Sequence, residues 1–130
     1  MGRGWLALGF AAALGSLAAP ASAQQWVEYA RGANDGFPLF YDPSRVRYDG
    51  NVAVIWTRNN NAAQPVAREA YRVSRMEIDC ADETTRTVYT AAYAADGAVV
   101  ASDDVPTAFA PVPPGSMVEA LMQRVCRRGN

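Results

Sequence analysis

Residues 45–58 read Arg-Val-Arg-Tyr-Asp-Gly-Asn-Val-Ala-Val-Ile-Trp-Thr-Arg, and this stretch decides the fold. Two runs, Arg45 to Tyr48 and Val52 to Arg58, flank Asp49-Gly50-Asn51. Asp-Gly between two β-rich runs is among the clearest short-range signals of a hairpin. Side chains alternate along a strand, so Val52, Val54 and Trp56 share one face and Ala53, Ile55 and Thr57 the other. Both faces are apolar, which predicts a central strand.

Working outward, Gln25 to Ala30 alternates weakly and Phe37 to Tyr41 is a short apolar run whose Gly36 and Pro38 mark an edge. Asp42-Pro43-Ser44 is a turn signal. On the other side, the polar stretch from Asn59 to Pro65 reads as a loop. Glu69 to Asp79 and Thr85 to Ala94 form a second candidate hairpin around Cys80-Ala81-Asp82-Glu83, and Asp96-Gly97 turns the chain into a last strand, Ala98 to Ser102. From Asp103 to Gly115 there are four prolines and little pattern, so this segment is expected to be a surface connection without an element of its own. Ser116 followed by Glu119 is a capping box, and Val118, Leu121, Met122, Val125 and Cys126 recur on one helical face. The fold class that follows is α+β: a five- to six-stranded antiparallel sheet with a C-terminal helix packed on it. An amphipathic membrane-surface helix, suggested by Arg124, Arg127 and Arg128, is the sharper alternative; the cysteine in the stripe favours docking.

Arg3, the small apolar run from Trp5 to Ala19, Pro20 and Ala21-Ser22-Ala23 have the form of a secretory signal peptide cut after Ala23. Residues 1–23 are therefore read as a cleaved leader and 24–130 as a single domain, with no later run apolar enough to cross a membrane. The competing reading is an uncleaved anchor helix. No cysteine lies beside the cleavage site to carry a lipid, so the product is expected in the periplasm, at the cell surface or secreted. Cys80 and Cys126 are the two cysteines of the chain, and in an oxidising compartment they should pair. Their spacing is far from that of a redox-active pair, and the bridge would staple the buried helix face to the strand end that carries Asp79.

The composition narrows the chemistry. All 12 basic residues are arginine and histidine is absent, which removes the commonest general base, histidine-ligated zinc, lysine Schiff bases and lysine-dependent phosphate loops. Residues 24–130 carry 11 arginines against 13 acids, a balance that argues against nucleic acid as a partner. No catalytic, cofactor-binding or metal-binding constellation emerges, and the chain is read as a non-enzyme. Glu77, Asp79, Asp82 and Glu83 cluster, but without the spacing of a calcium loop, and a solvated hairpin end is the simpler reading. Asp103-Asp104 is a weaker case of the same kind.

Binding is what remains. Arg68, Arg72 and Arg75, with Arg58 and Arg86 on neighbouring strands, could form a patch for an anionic ligand such as a glycan or an acidic protein segment, unless nearby acids pair with them. Phe109, in the proline-rich connection, is a candidate exposed anchor among aromatics that mostly build core. An unpaired sheet edge could also serve as a homodimer contact.

Trp26, the run Tyr41-Asp42-Pro43-Ser44 followed by Gly50 and a Val-x-Val-x-Trp strand ending at Trp56, Glu77-Ile78-Asp79-Cys80, and Pro114-Gly115-Ser116 leading to Val125-Cys126 together resemble the surface-adhesin protein E-like domain of Gram-negative bacteria. The resemblance spans nearly all of the chain after the leader. It implies a secreted antiparallel sheet domain with a C-terminal helix and one disulfide. It also implies adhesion, meaning the binding of host extracellular-matrix or serum proteins. A soluble periplasmic structural or envelope-maintenance protein without host contact is the alternative function.

Overall fold

In a computed structural model that describes residues 25–32, 36–60 and 69–127, the central hairpin forms where it was expected. Strand β3 (Arg47–Asp49) pairs antiparallel with β4 (Val52–Asn59) in the register Asp49↔Val52, leaving Gly50 and Asn51 as the loop. Gly50 has φ +57°, at the first loop position, where a two-residue hairpin turn calls for glycine. The strand begins two residues later than the sequence predicts. The buried Asp42 carboxylate accepts hydrogen bonds from the amide and hydroxyl of Ser44, and with Pro43 at the first position this winds Pro43–Arg45 into a 3-10 turn.

The other strands are β1 (Val27–Arg31), β2 (Pro38–Tyr41), β5 (Tyr71–Asp79), β6 (Thr84–Tyr93), β7 (Val99–Asp103) and β8 (Ala110–Pro111), followed by helix α1 (Met117–Val125). All pairings are antiparallel, in the order β1-β2-β4-β5-β6-β7. β3 continues the edge of β4 beyond β2, and β8 continues the edge of β6 beyond β7. The two-residue strand β8 corrects the expectation that 103–115 carries no element. It pairs Ala110 and Pro111 with Thr85 and Thr84, and the Val112 amide donates to the Glu83 carbonyl at 2.9 Å. The physical reason is apolar: this pairing delivers Val112 into the core at 9% exposure. Between β7 and β8, the Thr107 amide donates to the Thr87 carbonyl at 2.9 Å, so the outer edge of β6 is occupied along its length. The open edges of the sheet among the described residues are those of β1 and β7 and of the short strands β3 and β8, and Val99 and Val100 on β7 are exposed.

Alternation along β4 resolves which of its faces is interior. Ala53 and Ile55 are fully buried and Thr57 nearly so, while Val52, Val54, Trp56 and Arg58 are half-buried. Across the ladder Ala53 opposes Ile78 and Ile55 opposes Met76, and onto this surface α1 lays Leu121, Met122 and Val125. The helix starts as the sequence predicts, with Ser116 Oγ accepting from the Glu119 amide at 3.2 Å; Glu119 Oε1 reaches back to the Gly115 amide at 3.3 Å rather than to that of Ser116. Two tethers hold its far end. The Tyr48 hydroxyl donates to the Val125 carbonyl at 2.6 Å, and the disulfide Cys80–Cys126 joins the end of β5 to the helix C-cap, with Cα atoms 5.6 Å apart. The helix is thus a docked core element. The expected leader, residues 1–23, lies outside the described residues.

Candidate functional site

The sheet face opposite the helix is where aromatic and cationic side chains collect. Register places them in rungs: Arg47, Val54, Glu77 and Arg86 form one, Trp56, Arg75 and Tyr89 the next, Arg58, Val73 and Ala91 the third, and Tyr71 with Tyr93 the last. Strict alternation would put Arg86 and Tyr89 on opposite faces of β6. A bulge removes the conflict, because Met76 pairs with Thr87 while Arg75 pairs with Tyr89, leaving Val88 as the extra residue.

The rings contact one another across strands. Trp56 and Tyr89 meet edge to face with centroids 5.9 Å apart, and Tyr71 stacks on Tyr93 at 4.9 Å. Each such pair contributes about 0.5–1.5 kcal/mol beyond its buried area. Guanidinium groups lie over the rings: Arg58 is 4.1 Å from the Tyr71 centroid, Arg75 is 6.0 Å from that of Trp56, and Arg86 is 4.5 Å from that of Phe109. Three adjoining surface hollows, of about 610, 320 and 580 Å³, share Trp56 as a wall. Arg45, Arg47, Arg58, Arg75 and Arg86 ring them, with Glu77 and Asp104 as the acids.

Charge on this face is incompletely neutralised. Arg86 pairs with Glu77 at 2.7 Å, and Arg45 lies 3.5 Å from the buried Asp42. Arg47, Arg58 and Arg75 have no ion pair among the described residues; Arg58 donates instead to Asn60 Oδ1 at 3.0 Å. An uncommitted guanidinium beside an aromatic ring can bind a carboxylate or sulfate through its fork while the ring takes an apolar surface of the same ligand.

The residues singled out in the sequence separate in space. Arg75 joins Arg58 and Arg86 on the aromatic face, and Phe109, 40% exposed, lies under Arg86. Arg72, three residues from Arg75, is on the helix side of the sheet. There it grips the buried Glu69 carboxylate with Nε at 2.8 Å and Nη2 at 2.9 Å, a contact that raises its pKa. Arg72 lines a separate hollow of about 180 Å³ with Thr90, Ala92, Ala101, Ser102 and Asp103. Arg68 lies outside the described residues. The acidic residues serve local structure: Glu77 holds Arg86, Asp79 Oδ1 accepts from the amides of Ala81 and Asp82 at 3.0 Å, and Asp103 Oδ1 accepts from the Val105 amide at 2.8 Å.

Trp56, Tyr71, Tyr89 and Tyr93 were legible as sheet aromatics but not as one surface. The available signal was the parity of Trp56, Arg58, Val73 and Arg75 across β4 and β5, readable only once their pairing is known. A separate hollow of about 440 Å³ lies beside the helix, on the other side of the sheet from this face, lined by Tyr29, Tyr41, Ala120, Gln123, Arg124 and Arg127. There burial pushes the Tyr29 phenol up to about 12, which keeps it protonated and out of acid–base chemistry near neutrality.

A family model described as Surface-adhesin protein E matches residues 26–127. No curated protein and no solved structure matches the chain.

Proposed function

The chain belongs to the surface-adhesin protein E family, and from that premise we propose that it is an exported, non-enzymatic binding domain that attaches to extracellular-matrix or serum proteins of a host. The premise itself carries an adhesin-like role and a partner. The observation that supports a location for binding is the aromatic and arginine-lined face around Trp56, turned away from the helix and left with guanidiniums that no acid neutralises among the described residues. Interfaces draw most of their energy from residues of these two kinds, aromatics and arginine. In this reading residues 1–23 direct export and are removed, and residues 24–130 are the working domain.

Two experiments test the proposal. Protease shaving of intact cells, set beside a periplasmic extract, should remove the protein from whole cells; protection until the outer membrane is opened would refute a surface role. Immobilised matrix and serum proteins should retain the purified protein, and Arg75→Glu should release it. Retention of that variant at the wild-type level would refute this face as the contact.

A further inference from the structure

Resting on that reading of the face, we infer that its ligand is the sulfated, uronic-acid-bearing glycan chain of a matrix partner rather than the partner's polypeptide. The first argument concerns the main chain. Arg75 has ladder partners on both sides, in Trp56 and Tyr89, and the Trp56 carbonyl accepts from the Asp42 amide at 3.1 Å on its other side. Backbone groups of a sheet point along its plane towards neighbouring strands, so the face offers side chains alone. A peptide laid there would find few main-chain partners for its own amides and carbonyls, whereas peptide recognition on sheets uses open edges. A glycan brings hydroxyls that stay hydrated, ring faces that rest on Trp56 or Tyr89, and anionic groups at its rim.

The second argument is the spacing of the cations. Arg47 and Arg86 stand at the two ends of one rung, three strand intervals or about 14 Å apart at the backbone. Arg75 occupies the next rung and Arg58 the one after, so guanidiniums recur on successive rungs over about 13 Å along the strands. Arg47, Arg58 and Arg75 are the ones without an acid among the described residues. Such a row fits a ligand that repeats its anions at short intervals. A linear glycan bearing sulfate and carboxylate groups does so, and the guanidinium fork matches both groups.

The test is calorimetry and amide chemical-shift mapping on the purified, disulfide-bonded protein at physiological salt. The probes are a size-defined heparin oligosaccharide, its desulfated form and a polyglutamate peptide. The heparin oligosaccharide should bind and shift Trp56, Arg75 and Tyr89, and desulfation should abolish this. Arg75→Gln and Arg47→Gln should each weaken binding by about tenfold, the loss of one charge-assisted hydrogen bond. Arg127→Gln, the same charge change on the helix side, should leave affinity unaltered. Equal losses in Arg75→Gln and Arg127→Gln would overturn the inference, since attraction would then be general rather than sited. Binding of polyglutamate but not of the heparin oligosaccharide would also overturn it while leaving the face as the adhesive surface. If none of the probes binds and Arg75→Glu still abolishes capture of matrix proteins, the glycan chemistry falls and the proposed function stands.

Discussion

Replacing both bridge cysteines, Cys80→Ala with Cys126→Ala, should lower the stability of the domain by about 4 kcal/mol. The bridged residues are 46 positions apart. Closing a loop of that length removes about 13 cal/mol/K from the unfolded chain, which is about 4 kcal/mol at 25 °C. For a domain of about a hundred residues this corresponds to a fall in melting temperature on the order of 15–20 °C. Both half-cystines pack against the core cluster, so the variant also loses a little apolar contact at the junction of β5 and α1. Urea unfolding of the oxidised wild type and of the double variant measures the difference. The slope of the transition should steepen in the variant, because its unfolded state exposes more surface. A loss below about 1 kcal/mol with an unchanged slope would refute the reasoning: the unfolded chain would then be held compact by something other than the bridge.

Three further outcomes follow from particular contacts. Glu69→Gln removes the charge that grips Arg72 in a side chain only 2% exposed, and should cost about 2 kcal/mol in urea unfolding. Gly50→Ala meets open space but keeps φ at +57°, so it should cost about 1 kcal/mol from backbone conformation alone, read as a shift in the urea midpoint. Ultraviolet titration should show one tyrosine ionising near pH 12, and Tyr29→Phe should abolish that late step. Because the folded pKa is the higher one, the stability linked to Tyr29 is intact below about pH 10 and is lost as the pH rises towards about 12.

Local signals proved sufficient where neighbours in sequence are neighbours in space. Asp49-Gly50 between apolar runs located the hairpin, and Ser116 with Glu119 located the start of α1, since a turn and a cap are decided within a few residues. The pairing of Cys80 with Cys126 followed from their being the two cysteines of a chain read as exported, and the helix stripe told what the bridge would staple. Long-range register was not legible. The bulge at Val88 arises from how β5 and β6 align, and without it the sequence cannot tell that Arg86 and Tyr89 share a face. The separation of Arg72 from Arg75 needed no register, because residues three apart on one strand face opposite ways; what the sequence did not show is that Glu69 takes up Arg72 on the helix side. Strand β8 escaped notice because two residues, one of them proline, carry no periodicity; its formation depends on Val112 finding the core.

The split between the two faces of β4 has an evolutionary consequence. Odd-numbered Ala53, Ile55 and Thr57 are answerable to the helix and the core, and even-numbered Val54, Trp56 and Arg58 to whatever lies outside. Selection can therefore rewrite every second codon of this strand to change what the outer face contacts, while the intervening codons stay fixed. Descendants of such a protein would diverge in a comb-like pattern, with contact specificity drifting rapidly on a scaffold that hardly changes.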